Sequence, residues 1–329
     1  MNDRAVGILD QYDIEVLRTR KGRSAILCET KQGLKILKEY KGTKEKAALQ
    51  NALLMRIRQE GEVDVEMILP NKEGELLTID TDQTVYVLKD YFDGRECNMK
   101  EPAECGCVMK TLAQLHKAMC IPTSEIEQNI FVYKIEQEFD KHNKELRKIR
   151  KFVRAKGQKT DFEIYLLQHY DVFLDKALLV TDEVKSHNFT SYYEEIEKQG
   201  AFCHGDYQYH NILFGGGRTA VINFEKCILD SNVRDISLFM RKLLEKNNWA
   251  EEIGYDLLAA YEEEKLLSQE EKLQLYYRLA YPEKFWKIVN FYYNSSKAWI
   301  PGRNMEKLEA LLAQEASKEK FLAHIFKHN

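Results

Sequence analysis

Apolar and polar residues alternate through much of the first ninety positions, and beyond them apolar residues recur mostly at helical spacing. Ile14 to Arg20 alternates, Lys21-Gly22-Arg23 has the composition of a turn, and Ala25 to Thr30 alternates again. Gln32-Gly33 then turns the chain into Leu34-Lys35-Ile36-Leu37-Lys38-Glu39-Tyr40, which predicts three antiparallel strands in a row. The period changes next. Ala48, Leu53, Leu54 and Ile57 share one face of a helix predicted from about Lys44 to Gln59, and Gly61 ends it. Two more strands are predicted, Glu75 to Ile79 after the turn Lys72-Glu73-Gly74 and Thr84 to Leu88 after Thr81-Asp82-Gln83.

Asp90-Tyr91-Phe92-Asp93-Gly94 reads as a connector, after which nearly everything is helical. Pro102 suits a first helical turn, and Glu104 to Met119 carries Val108, Leu112, Leu115 and Met119 at helical spacing. Long helices are predicted at about Val132 to Lys156 and Asp161 to His187; Gly200 to Val221 is irregular, and helices resume to the end. The plan is α+β: a small β-rich N-lobe over 1–93 with an antiparallel sheet and one helix, and a large helical C-lobe over 94–329.

Composition narrows the classes. At 329 residues there is enough chain for two cores, and 44% apolar with 31% charged residues is the balance of a globular protein. A formal charge of −4 gives no general attraction to nucleic acid or anionic membranes. No apolar run reaches the roughly 20 residues of a bilayer span. Met1-Asn2-Asp3-Arg4 runs into polar sequence rather than a secretory core, so a cytoplasmic location, or assembly from cytoplasmic protein, is expected. The seven cysteines lack zinc spacing; Cys105-Gly106-Cys107 is the only close pair, and reduced, mostly buried thiols are expected.

The chemistry sits in Ala201-Phe202-Cys203-His204-Gly205-Asp206-Tyr207-Gln208-Tyr209-His210-Asn211-Ile212-Leu213-Phe214. An Asp followed five residues later by an Asn and a short apolar strand is the layout of a phosphoryl-transfer loop. The Asp accepts the proton of the attacking hydroxyl, and the Asn holds magnesium on the nucleotide phosphates. The alternative is a turn with a capping Asp and a buried His.

His204-Gly205-Asp206…Asn211 resembles the loop of aminoglycoside phosphotransferases, choline kinases and related small-molecule kinases, with a bilobal, protein-kinase-like fold. The resemblance covers nearly the whole chain and sharpens toward the CotS-type spore-coat proteins of spore-forming bacteria. Tyr91 to Cys97, Val221-Ile222-Asn223-Phe224-Glu225, Tyr281 to Lys287 and Asn290 to Trp299 carry it. It implies a spore-coat protein with a structural or regulatory role and other coat proteins as partners. Its rivals are an ATP- and magnesium-dependent kinase with Asp206 as base, and a nucleotide sensor that binds ATP without turnover.

The same resemblance calls for a phosphate-binding lysine on the third strand. Alternation puts Ile36 and Lys38 on one face, so Lys38 is the first candidate and Ile36 would cover the base; Lys35 points the other way and is the second. Its helix partner is either Glu45 or Gln50. Only Gly22 lies between the first two strands, flanked by Arg18, Arg20, Lys21 and Arg23, which reads as a solvated hairpin tip. Lys89 to Phe92, including Tyr91, would form a hinge that meets adenine through its backbone.

Where kinases carry a magnesium-binding Asp, this chain has Asn223. A neutral amide is a poor ligand for a hard cation, and Glu225 could supply the missing charge. Either Asn211 and Glu225 hold metal with Asn223 beside them, or the site is degenerate and the fold serves as a scaffold. Asp235, ahead of an apolar helix, resembles the buried helix-capping aspartate of this fold. The cationic run Lys141 to Lys159 reads as a solvated helix face, with docking of an acidic partner or a phosphate-bearing polymer as the alternative. Phe285 and Phe291 are expected in the core, and Trp299 either there or in an acceptor cleft.

Overall fold

Each alternating strand of the N-terminal region has one apolar face to bury, and a sheet is how it does so. The computed structural model describes residues 7–22, 25–126, 130–294 and 301–326. Arg23, Met1 to Arg4 and the stretch Ser295 to Trp299 lie outside the described residues. Strands β1 (Val16–Gly22), β2 (Ala25–Thr30) and β3 (Gly33–Glu39) are successive antiparallel neighbours, with Arg20 opposite Leu27 and Leu27 opposite Ile36. Leu37 of β3 is fully buried in a cluster with Ile8, Leu9, Tyr12, Ile26, Cys28, Tyr86 and Leu88.

Helix α1 (Lys44–Glu60) begins where the Thr43 side chain accepts from the Lys46 N–H, and it ends at Gly61 in the left-handed region. Its buried face holds Ala47, Gln50, Leu53, Leu54 and Ile57, so Ala47 takes the inward position expected of Ala48. Two short strands follow that the sequence pattern did not announce, β4 (Asp64–Val65) and β5 (Ile68–Leu69). Next come β6 (Thr78–Ile79) and β7 (Val85–Asp90). The first sheet runs β1-β2-β3-β7-β5, with β6 also on β7.

The remaining elements are β8 (Arg95–Glu96), α2 (Pro102–Ala118), α3 (Ile135–Ala155), α4 (Asp161–His187), α5 (Thr190–Gln199), β9 (Phe202–Cys203), β10 (Ile212–Gly215), β11 (Arg218–Val221) and β12 (Ile228–Leu229). After them come α6 (Val233–Lys246), α7 (Glu251–Glu262), α8 (Gln269–Ala280), α9 (Glu283–Asn294) and α10 (Pro301–Ile325). A second sheet has the order β4-β11-β10-β8. The β-rich N-terminal and mostly helical C-terminal parts are those of an α+β fold.

The chain forms two compact units. One comprises 1–130, 199–228 and 260–265; the other comprises 131–198, 229–259 and 266–329. This grouping cuts across the division expected at residue 93, because β8, β10 and β11 form one sheet with β4.

In the second unit Tyr281 stacks on Phe139 at 4.0 Å and donates to Asn143 Oδ1 at 2.9 Å, while Phe285 stacks on Phe173 at 4.5 Å. Phe285 is fully buried, but Phe291, expected in the core, is 43% exposed because it sits on the outward side of α9. Asp235 is buried in the first turn of α6, and Asn232, not Asp235, takes the N-cap position. Along α3 the residues Lys141, Lys144, Arg147, Lys148 and Lys151 face solvent, while Arg154 pairs with Asp171 at 3.0 Å and Lys156, beyond its end, pairs with Glu163 at 2.7 Å.

Candidate active site

The loop of His204 to Asn211 lies in the first unit, between β9 and β10, and its shape follows from two residues. Gly205 has φ +76°, and a Cβ there would stand 2.2 Å from the Lys226 carbonyl oxygen, so only glycine fits. His204 is fully buried and bonded on both ring nitrogens. Nε2 lies 3.0 Å from the Ile222 carbonyl, and Nδ1 accepts from the Asp206 N–H at 3.2 Å. A carbonyl only accepts and an amide N–H only donates, so the ring proton is on Nε2. His204 thereby ties the loop to the strand end that precedes Asn223.

Asp206 Oδ1 accepts from Gln208 Nε2 at 2.7 Å and Oδ2 from Lys226 Nζ at 3.0 Å. Burial works to raise the Asp206 pKa, but the Lys226 ammonium and the Gln208 amide outweigh it and hold the carboxyl below its ordinary value. Asn211 is buried, and its Nδ2 donates to the Asp206 carbonyl at 2.8 Å. The loop is therefore folded on itself with an ionised Asp at its edge.

Opposite lies a charge network that topology explains. β4 pairs with β11, placing Val65 opposite Val221, whereas β5 pairs with β7, placing Ile68 opposite Lys89. The link between β4 and β5 thus steps from one sheet to the other, and Glu66 sits on that step. Its carboxylate is 1% exposed and accepts from Lys89 Nζ at 2.8 Å, the Asn223 N–H at 2.8 Å and the Phe224 N–H at 3.2 Å. Lys89, fully buried, also donates to Glu225 Oε1 at 2.8 Å. Lys38 donates to Asn223 Oδ1 at 2.6 Å and to Glu225 Oε1 at 3.1 Å. Asn223, in the left-handed region at φ +70°, donates through Nδ2 to Asn211 Oδ1 at 2.7 Å.

Burial opposes ionisation of Glu225, yet Lys89 and Lys38 together pull its pKa down to about 2. Burial likewise works against the Lys89 charge, but Glu66 and Glu225 overcome it and leave the pKa above the ordinary lysine value. Asn223 bonds Asn211, and Asn223 and Glu225 share Lys38. Each already has an oxygen committed to a protein donor: Asn211 Oδ1 to Asn223, Asn223 Oδ1 to Lys38 and Glu225 Oε1 to two lysines. Among the described residues no group of three His, Cys, Asp or Glu side chains is placed to hold a metal ion. The set offers one carboxylate, Glu225, with Oε1 bonded by two lysines, where magnesium prefers carboxylates with their oxygens available.

Two expectations are corrected by the sheet. Lys89 is not part of a hinge: it is in β7, opposite Ile36 on one side and Ile68 on the other, and its side chain is the buried cation of the network. Tyr91 does follow the strand, but its N–H donates to the Leu34 carbonyl at 3.0 Å instead of facing a ligand. Ile36 and Lys38 share the half-buried face of β3, while Lys35 lies on the other face, bonded to Asp90 at 2.7 Å. Neither helix candidate pairs with Lys38. Glu45 is exposed at the start of α1, and Gln50 is fully buried with neither polar side-chain atom bonded among the described residues. Arg18, Arg20 and Lys21 on β1 are exposed. Glu66 and Lys226 were missed. Glu66 had a weak signal, since it and Asp64 are the two carboxylates within the otherwise apolar Val63 to Leu69; Lys226 had none.

This arrangement is that of a kinase-like phosphotransferase fold. An aminoglycoside phosphotransferase from Alicyclobacillus acidocaldarius superposes with a TM-score of 0.83, covering 98% of this chain and 95% of that one at 17% identity. An AMP-bound spectinomycin phosphotransferase superposes at 0.68, covering 97% of each chain at 12% identity. The chain belongs to the family described as spore coat putative kinase YutH, whose model matches residues 6–325. It is also 24% identical over 324 residues to spore coat protein S of Bacillus subtilis (strain 168), a match that covers 96% of this chain and 92% of that protein.

Proposed function

We propose that this protein is a structural or regulatory component of the spore coat, in which a kinase-like site has been rebuilt as an internal ion-pair network. One observation carries the reading. Glu225, the one carboxylate among the three expected metal ligands, is bonded by both Lys38 and Lys89, and its neighbour Asn223 contributes an amide that Lys38 also occupies. The lysine that would meet nucleotide phosphates and the acid that would meet metal neutralise each other. Magnesium would have to share its single carboxylate with two ammonium groups bonded to Oε1, one of them fully buried. The coat role rests on the family and on the spore coat protein that this chain resembles.

A second reading, ATP-dependent phosphate transfer to a hydroxyl, is favoured by the ionised Asp206 beside Asn211 in a fully formed loop. Adenine nucleotide would then meet Ile36 and Tyr91, with Lys38 swinging from Glu225 to the phosphates.

Calorimetry of ATP with the wild type and with Asn223→Asp, each with and without magnesium, separates the two. Under the coat-component reading magnesium leaves wild-type binding unchanged, and Asn223→Asp acquires magnesium dependence because it restores a carboxylate. Magnesium-dependent ATP consumption by the wild type that Asp206→Asn abolishes would overturn it.

A further inference from the structure

The helical unit carries a second concave region that the kinase-like reading does not use. Helices α6, α9 and α10 line an open groove of about 630 Å³ whose wall includes Lys242, Lys284, Lys287 and Lys307 with Trp286 and Phe291. Four lysines line this one concave region, Lys284 and Lys287 with side chains 37% and 43% exposed and Lys242 and Lys307 half-buried.

Their compensation is incomplete. Lys284 bonds Glu245 at 2.8 Å, but Glu245 is already bonded by Arg241 at 2.9 Å. Lys287 reaches Glu283 at 3.1 Å, and Glu283 also lies 3.4 Å from His142 Nδ1. Among the described residues Lys242 and Lys307 make no ion pair, and Lys307 lies over the Phe291 ring, 5.3 Å from its centroid. Burial comes first, and the neighbouring cations add to it, in holding Lys242, Lys287 and Lys307 below the ordinary lysine value. Lys284 and Arg241 bear on Lys242, Arg241 on Lys287, and Arg303 and Lys284 on Lys307, while Glu245 offsets part of this at Lys242 and Glu283 and Glu245 at Lys287. Several cations gathered along one open groove gain most from an anion that carries more than one charge.

We propose that this groove is a binding site for a multiply charged phosphate anion. Lysine ammoniums act as compact point charges suited to phosphate oxygens arriving from several directions, whereas a planar carboxylate is better matched by the arginine fork. The volume exceeds what one phosphate group needs, which fits a ligand with several phosphoryl groups or one phosphoryl-bearing part resting on Trp286 and Phe291. The buried amide of Asn304 on the wall offers a neutral hydrogen-bonding group beside the cations.

The test uses the full-length chain and sodium tripolyphosphate at low ionic strength, read by calorimetry. The wild type is expected to bind, with an affinity that falls as salt is added. The double variant Lys242→Gln/Lys307→Gln is expected to bind at least about tenfold more weakly, since two of the four charges are gone. Lys38→Met, which removes a cation of the first unit, is expected to leave the affinity within about twofold. Without ligand the double variant is expected to melt no lower than the wild type, because it loses repulsion and no ion pair. The proposal is overturned if the wild type does not bind, if the double variant binds as tightly as the wild type, or if Lys38→Met alone removes the binding. A double variant that melts well below the wild type would also overturn it, since those two lysines would then be held by partners.

Discussion

Asp206 and Glu225 are two carboxylates of one unit, each held by lysine, and the lysines differ. Lys226, bonded to Asp206, has a side chain 66% exposed, whereas Lys89, bonded to Glu225, is completely buried. An exposed ammonium is screened and mobile, and it can leave its partner at little cost. A buried one, already stripped of water, cannot move without leaving an uncompensated charge behind. Asp206 therefore keeps the freedom of a group that exchanges protons, while Glu225 has become a counter-ion for the sheet. The loop and the segment after β11 are neighbours in the same unit, yet one carboxylate is held by an exposed cation and the other by a buried one.

The most severe way to break this comparison is to remove the buried cation. Lys89→Met keeps the length of the side chain and deletes the charge, which strands Glu66 at 1% exposure with two backbone N–H donors and no cation. A loss of about 3–5 kcal/mol in stability is expected from denaturant unfolding. A loss under about 1 kcal/mol would place Lys89 with the exposed pairs and erase the distinction.

Next comes the backbone of the loop itself. Gly205→Ala must hold a left-handed φ of +76° and push against the Lys226 carbonyl. A destabilisation of roughly 1–3 kcal/mol is expected, again by denaturant unfolding. The same variant should loosen the Asp206–Lys226 contact, because the displaced carbonyl belongs to that lysine.

These two positions show how unevenly the site was written in the sequence. Gly205, Asp206 and Asn211 lie within seven residues, so their relation is local, and a spacing rule can see it. The strands β1 to β3 and α1 were legible for the same reason, since period and turn residues are local signals. Lys89 was read as hinge because it precedes Tyr91-Phe92-Asp93-Gly94; that it pairs on both sides depends on β5, a two-residue strand with no period to detect. The partners of Lys38 were sought on α1 and lie 185 and 187 residues away. Such pairings are fixed by the step of the chain from one sheet to the other at Glu66, which only the assembled sheets reveal.

A smaller effect sharpens the comparison through pH. The folded pKa of Glu225, about 2, lies below its ordinary 4.5. Its ionised form therefore contributes stability in full above pH 4.5, and that contribution disappears as pH falls through 2. Glu225→Gln lacks this term. The gap in stability between wild type and variant should be widest near neutrality and should narrow steadily from pH 4.5 downward, as followed by thermal melts across that range. A gap that stays constant with pH would mean that Glu225 contributes by packing and hydrogen bonding alone. The Lys89 charge runs the opposite way: its raised pKa means that its contribution persists through the ordinary lysine range and is lost only as pH rises past its folded value.

The smallest effect tests the exposed side. Lys226→Ala removes a cation that is mostly in water, so stability should change by less than about 1 kcal/mol. What should move is the titration of Asp206. Burial pushes that carboxyl upward and Lys226 is the first group to pull it back, so without the lysine the pKa rises toward or above its ordinary 3.8. The carboxyl carbon shift of Asp206 followed by NMR through the acid range reads this directly. A clear rise with nearly unchanged stability would show that Lys226 tunes a proton-exchanging group without supporting the fold. A titration that does not move would mean that Gln208 and the loop backbone set the charge of Asp206 by themselves, and that its ionised state is as built-in as that of Glu225.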